Sequence, residues 1–175
     1  MATPRVGPHA DAEQDRRPSG TARDRALRLL AVRWRSEAEL RRRLRAAGFD
    51  IAEVEDALEG LSRAGLVDDA RFAREVVRDQ AGRRRASARA IRGALLQKGV
   101  DPGLIEEAVA EAGEDLDRAS DLARSRIHRL SGFPPDAAFR RLYGLLVRRG
   151  YSSDVAREAC REALAEREEE PESLE

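Results

Sequence analysis

Two adjacent carboxylates, Asp68 and Asp69, stand directly before an apolar pattern that begins at Phe72. Paired carboxylates can hold a metal ion or act as general acid and base, but a metal ion needs further ligands that the neighbouring sequence lacks. An aspartate at a helix start instead accepts hydrogen bonds from unpaired amides and favours the positive helix end, which is worth about 1 kcal/mol. The pair therefore predicts the N-cap of a helix that buries Phe72 and Val76.

No other residues form a catalytic or metal-binding group. The two histidines, His9 and His128, have no His, Cys or carboxylate partner at metal-site spacing, and the sequence has no G-x-x-x-x-G-K-[ST] phosphate loop. The single cysteine, Cys160, excludes an intramolecular disulfide and falls at a predicted core position. We therefore expect no enzyme activity, no cofactor and no metal.

Arginine is the residue type with the clearest chemical role, because its guanidinium group binds phosphates and carboxylates in bidentate geometry. The chain has 33 basic residues, of which only Lys98 is lysine, and 33 acidic residues. The net charge of zero hides an alternation: +5 for 23–50, −5 for 51–70, +7 for 71–100, −7 for 101–121, +6 for 122–150 and −6 for 151–175. This alternation predicts one basic and one acidic stripe, suited to an external anionic or mixed-charge partner or to mutual neutralisation by salt bridges.

The elements that must position these charges repeat along the chain. Residues 40–58, 91–109 and 142–160 align without gaps, and their central glycines, Gly48, Gly99 and Gly150, are separated by 51 residues each time. Such a period indicates stacked supersecondary units. With 4% aromatic residues and many aliphatic ones, the sequence predicts an all-α fold, an elongated array of three tandem three-helix repeats.

Helix boundaries follow from local signals. Ser36 with Glu39 matches a capping box before the second helix of repeat 1, which Gly48 ends, and Asp50 caps the third helix. Asp101-Pro102 marks a helix start in repeat 2, as does Pro134-Pro135-Asp136 in repeat 3. The predicted divisions are a disordered tail at 1–22, repeats at 23–67, 68–114 and 115–166, and an acidic tail at 167–175.

The candidate partner or DNA contacts are arginines of the basic segments, beside Trp34 at the end of the first helix, on the second helices or in the loop before the Ser87 cap. They are Arg33, Arg35, Arg41, Arg42, Arg45, Arg83, Arg84, Arg85, Arg89, Arg92, Arg140, Arg141 and Arg148. Leu96 and Val147 align with Arg45, so repeats 2 and 3 place apolar residues where repeat 1 places charge. Packing between repeats and partner binding both fit that pattern.

Four segments carry a family resemblance: R-S-E-A-E-L (35–40), A-A-G-F (46–49), G-L-V-D-D-A-R-F-A-R (65–74) and I-R-G-A-L-L-Q-K-G-V (91–100). Together they resemble the RecX family of regulators of the RecA recombinase, and the likeness covers roughly 25–165. RecX-like proteins are arrays of three-helix repeats. Here Val76 stands near a position that is often Trp in the family, and Ala138 replaces the Ser36 and Ser87 caps.

The resemblance implies a non-enzymatic regulator that binds the RecA filament on single-stranded DNA, in its helical groove, and damps ATP hydrolysis and strand exchange. Contact with single-stranded DNA is direct or through the filament. With no apolar run of membrane-spanning length and no secretion signal, we expect a cytoplasmic monomer with no membrane contact. The alternative is a sequence-specific DNA-binding regulator, since three short helices with a basic second helix resemble a helix-turn-helix unit.

Overall fold

A computed structural model describes residues 19–169, and every regular element in this range is helical. The nine α-helices of this range are α1 (Ala22–Val32), α2 (Glu37–Ala46), α3 (Ile51–Arg63), α4 (Asp69–Val77), α5 (Ala88–Gln97), α6 (Pro102–Ala110), α7 (Asp115–Ile127), α8 (Pro135–Arg148) and α9 (Ser153–Glu169). A π-helical segment (Arg78–Arg83) follows α4, and a 3-10 turn (His128–Leu130) follows α7. The predicted all-α class and the three tandem three-helix repeats are confirmed.

The predicted tails fall mostly on residues 1–18 and 170–175, which lie outside the described range. Helix α1 begins at Ala22, inside the predicted N-terminal tail, because Thr21 and Asp24 form a capping box. The Thr21 hydroxyl accepts from the Asp24 amide at 3.1 Å, and the Asp24 carboxylate accepts from the Thr21 amide at 3.3 Å. Helix α9 continues to Glu169, past the predicted end of repeat 3.

Side chains cap the predicted helix starts at Ser36, Asp50 and Asp101. The Ser36 hydroxyl accepts from the Glu39 amide at 3.1 Å, and Asp50 accepts from the Glu53 amide at 3.0 Å. Gly48 ends α2 with a φ of +94°, a conformation that glycine adopts without steric cost. These local signals set where the second and third helices of repeat 1 begin and end. Asp101 likewise accepts from the Gly103 amide at 2.8 Å.

Each repeat has its own small hydrophobic core, and the described part of the chain divides into two compact units between Asp69 and Ala70. The second unit contains repeats 2 and 3. Fully buried leucines and isoleucines recur at equivalent positions: Leu40 and Leu44, Ile91 and Leu95, Leu142 and Leu146. Cys160 lies in the core of repeat 3, where burial raises the pKa of its thiol to about 11. Among residues 19–169, no helix combines the length and the apolar character needed to cross a membrane.

Repeats 2 and 3 approach each other closely at Gly150, whose φ is +93°. A β-carbon at this position would lie 2.6 Å from the Ser87 hydroxyl oxygen and 2.9 Å from the Ala90 β-carbon. The Ser87 amide also donates to the Arg149 carbonyl at 3.2 Å. The chain that follows α8 therefore packs directly on the start of α5.

Replacing Gly150 by alanine should destabilise the second unit more than the same change at Gly113. Both glycines have positive φ, +93° and +77°, so both variants pay a backbone cost of about 1 kcal/mol. A β-carbon at Gly113 meets nothing nearer than Arg118 Nη1 at 4.0 Å, whereas one at Gly150 overlaps Ser87. We expect Gly150→Ala to lower the free energy of unfolding by about 2 kcal/mol more, measured by urea denaturation. Equal losses would contradict this close packing.

Candidate partner-binding surface

Asp69 binds the start of the preceding second helix. Its Oδ1 accepts from the amide of Glu37, the first residue of α2, at 2.9 Å. Asp115, the first residue of α7, accepts from the Ala88 amide at the start of α5 in the same way, at 2.8 Å. The first turn of a helix has amides without intrahelical partners, and these carboxylates satisfy them from outside the helix. Burial raises the pKa of the Asp69 carboxyl group, and the bond from Glu37 opposes that shift.

The two members of the Asp68-Asp69 pair have different places in the structure. Helix α4 begins at Asp69, so Asp68 occupies the N-cap position, while Asp69 serves the neighbouring helix of the preceding repeat. The Asp69 carboxylate binds an amide that is 32 residues away in sequence, so this contact could not be predicted from the residues next to Asp69. Among residues 19–169, no group of three or more His, Cys, Asp or Glu side chains is arranged to hold a metal ion.

Two of the candidate arginines join helices of their own repeats. Arg41 Nε lies 2.7 Å from Glu55 Oε1, which ties α2 to α3, and Arg92 Nε lies 2.8 Å from Glu106 Oε1, which ties α5 to α6. Both members of the second pair lie 51 residues after those of the first. The hydrogen bond from Arg41 lowers the pKa of the Glu55 carboxyl group. Arg41 also bonds Glu37 Oε1 at 2.6 Å, so its guanidinium is committed to its own repeat.

Arg35 is buried, which corrects its prediction as a contact residue. Only 7% of it is exposed, and its Nε donates to the Leu29 carbonyl at 3.2 Å near the end of α1. Burial is the main cause that lowers the pKa of its guanidinium. Its neighbour Arg33 is exposed and pairs with Glu39 at 2.8 Å. Both side chains therefore contribute to the structure of repeat 1.

A buried guanidinium holds the segment before α5 in place. Arg118 of α7 is 8% exposed, and its Nη1 donates to the Gly113 carbonyl at 2.8 Å and to the Ala112 carbonyl at 2.5 Å. Its Nε donates to the Ala86 carbonyl at 3.4 Å, and its Nη2 pairs with Asp115. Sequence reasoning missed Arg118, although a signal existed: it is the one basic residue in the acidic segment 101–121.

Two further side chains of repeat 3 bind the backbone of the Arg83-Arg84-Arg85 run. The Tyr151 hydroxyl donates to the Arg85 carbonyl at 2.7 Å, and the Arg149 guanidinium donates to the Arg84 carbonyl. Arg85 has a φ of +46°, and its Nη1 donates to Ser125 Oγ at 3.0 Å. The predicted loop is thus partly π-helical, since Arg83 ends the Arg78–Arg83 segment. Arg85 is partly buried and structural.

Arg83 and Arg84 are the exposed members of this run. Their side chains are 87% and 68% exposed. Arg83 Nη1 lies 3.7 Å from Asp79 Oδ1, and Arg84 Nε lies 3.4 Å from Asp79 Oδ2. Such exposed pairs contribute little stability, so an external anion can displace Asp79 at small cost. The fixed backbone therefore presents two accessible guanidinium groups.

The second helices of all three repeats carry exposed arginines, and within residues 19–169 these have neither an ion pair nor a hydrogen-bond partner. They are Arg42 and Arg45 on α2, Arg89 on α5, and Arg140 and Arg148 on α8. Arg42 and Arg45 line a cleft of about 360 Å³ together with Arg41 and Ala38. Arg141 is also exposed and lies over the Phe133 ring, 4.2 Å from its centre. These residues form the candidate partner-binding surface.

Three family models match the chain in tandem. They are RecX, first three-helix domain, at residues 22–61; RecX, second three-helix domain, at 68–109; and RecX, third three-helix domain, at 113–160. The regulatory protein RecX of Corynebacterium efficiens is 39% identical over 155 residues, covering 85% of this chain and 74% of that protein. That of Mycobacterium avium is 40% identical over 148 residues, covering 83% and 84%.

Solved structures agree with the fold. The crystal structure of RecX from Lactobacillus salivarius matches with a TM-score of 0.69 at 20% identity, covering 81% of this chain and 94% of that chain. A further crystal structure of regulatory protein RecX matches with a TM-score of 0.67 at 25% identity, covering 79% and 70%. The first likeness shows the fold alone.

Removing the Arg118 guanidinium should destabilise the second unit strongly. Arg118→Met removes the hydrogen-bond donor of three backbone carbonyls and of Asp115. We therefore expect the free energy of unfolding to fall by about 3 kcal/mol. The matched control is Arg129→Met, an exposed arginine of the same repeat, for which we expect a change within about 0.5 kcal/mol. Urea denaturation followed by circular dichroism measures both, and a similar small effect at Arg118 would refute the structural role.

Proposed function

The chain belongs to the RecX family, and on that premise we propose that it regulates the RecA recombinase by binding the RecA filament on single-stranded DNA. The proposed binding place is the helical groove of the filament, where the bound chain inhibits ATP hydrolysis and strand exchange. It acts in the cytoplasm as a monomer and as a binding protein rather than an enzyme. Contact with the DNA strand is direct or through RecA.

One observation carries the surface part of the proposal: exposed arginines that form no ion pair within residues 19–169 recur on α2, α5 and α8. A filament on DNA offers phosphates and protein carboxylates together. Guanidinium groups bind both, and they raise the association rate through long-range attraction. Arg83 and Arg84 add two accessible positive charges beside α5.

The purified chain should inhibit the DNA-stimulated ATPase of RecA at substoichiometric concentration and should slow strand exchange. Because the attraction is electrostatic, the half-inhibitory concentration should rise as salt is increased. An ATPase and a strand-exchange rate that stay unchanged across moderate salt would contradict the proposal. Discrimination between a duplex sequence and its scrambled version, without any effect on RecA, would favour the helix-turn-helix alternative.

Reversing the charge of Arg83 and Arg84 should weaken binding to the RecA filament. We expect Arg83→Glu with Arg84→Glu to raise the dissociation constant about tenfold at moderate salt and to lower the slope of its logarithm against log salt by about 1 to 2. The control is Arg63→Glu with Arg161→Glu, which reverses two similarly exposed arginines on third helices. Fluorescence anisotropy of labelled filaments over a salt series measures both pairs. Equal effects of the two pairs would show that only net charge matters.

A further inference from the structure

The outward faces of α5 and α8 carry the same three residue types in the same order. Arg89, Gly93 and Leu96 on α5 correspond to Arg140, Gly144 and Val147 on α8, each 51 residues later. Leu96 is 54% exposed and Val147 is 42% exposed. Packing among residues 19–169 therefore does not account for these two apolar residues, because the adjacent Leu95 and Leu146 fill the cores.

The glycines at the centre of these faces are not required by the fold. Glycine in the middle of a helix destabilises it relative to alanine. A β-carbon at Gly93 would meet no atom within 4 Å, and one at Gly144 would meet only Arg148 Nη1, the mobile end of a long side chain, at 3.2 Å. Alanine therefore fits both positions, and the same unfavourable choice appears in two repeats.

Repeat 1 differs at the corresponding positions and provides an internal comparison. Its α2 has Ala38, Arg42 and Arg45 where the other repeats have arginine, glycine and an aliphatic residue. The arginine–glycine–aliphatic face is therefore a property of repeats 2 and 3, separate from the basic cleft of repeat 1.

We propose that the outward faces of α5 and α8 are two equivalent docking faces for α-helices of a protein assembly that presents the same element in successive copies. Glycine lets a second helix approach the backbone closely, and the exposed aliphatic residue gives that helix an apolar contact. Helix α5 has no acidic residue, and α8 has only Asp136 at its start, so the docked helix carries acidic residues beside its apolar one. Two like faces on one chain fit a partner that repeats.

The aliphatic residues favour a protein over nucleic acid as the occupant of these faces. Phosphates bind arginine, and unpaired bases stack on aromatic rings, but neither Leu96 nor Val147 offers a charge or a ring. The inference rests on the proposed function for the identity of the assembly, which is then the RecA filament.

Replacing the two glycines by alanine should stabilise the chain and weaken its binding to the partner. Gly93→Ala with Gly144→Ala should raise the melting temperature by a few degrees, because alanine favours the helix. The two added methyl groups should hold the docked helices away and raise the half-inhibitory concentration against the RecA ATPase about tenfold or more. Leu96→Gln with Val147→Gln should weaken inhibition by a similar factor without raising the melting temperature.

Gly60→Ala is the matched control, because Gly60 also lies within a helix, on α3, and its β-carbon would meet nothing within 4 Å. It should stabilise the chain and leave inhibition unchanged. The inference is overturned, and the proposed function kept, if the chain inhibits RecA and the double glycine variant inhibits equally well. It is also overturned if both double variants lose affinity for single-stranded DNA alone, or if light scattering shows that they abolish self-association of the chain. A wild-type chain without any effect on RecA refutes the proposed function and this inference together.

Discussion

In repeats 1 and 2 the first amide of the second helix donates to an aspartate that lies beyond the third helix. This hydrogen bond ties the chain that leaves each of these repeats to the start of its second helix. Asp69 makes it to Glu37 and Asp115 makes it to Ala88, at 2.9 and 2.8 Å. A module of three short helices buries too little apolar surface to be very stable alone. Polar contacts at helix starts cost little to form there, because the amides have no partner within their own helix.

Arginine performs two different tasks in this chain, and burial separates them. Arg118 and Arg35 are buried. The guanidinium of Arg118 donates hydrogen bonds to backbone carbonyls and to Asp115. These hydrogen bonds replace the hydration that the Arg118 guanidinium loses on burial. Arg89 and Arg140 are exposed, with neither an ion pair nor a hydrogen-bond partner among residues 19–169. An arginine-rich composition therefore overstates the extent of the exposed basic surface.

The three repeats share a frame but differ on their outward faces. Repeats 1 and 2 keep the ion pair between second and third helix, whereas repeat 3 has Tyr143 and Arg157 at those positions. Tyr143 stacks on Phe139 instead, with ring centres 6.1 Å apart. The outward face of repeat 1 has Ala38, Arg42 and Arg45, while repeats 2 and 3 combine arginine with glycine and an aliphatic residue. The three repeats therefore present unlike outward faces on a shared three-helix frame.

The sequence by itself determined the elements of this protein. Ser36, Gly48 and Asp50 act on amides and backbone angles within three residues of themselves, and the buried leucines recur at helical spacing, so residue type alone was enough to predict these helices and the 51-residue repeat. Tertiary structure alone decided which polar groups form hydrogen bonds with each other across the chain. Arg118 reaches a carbonyl 32 residues away and Tyr151 one 66 residues away. Long flexible side chains reach such partners only after the helices have packed. A local sequence pattern therefore cannot predict these hydrogen bonds.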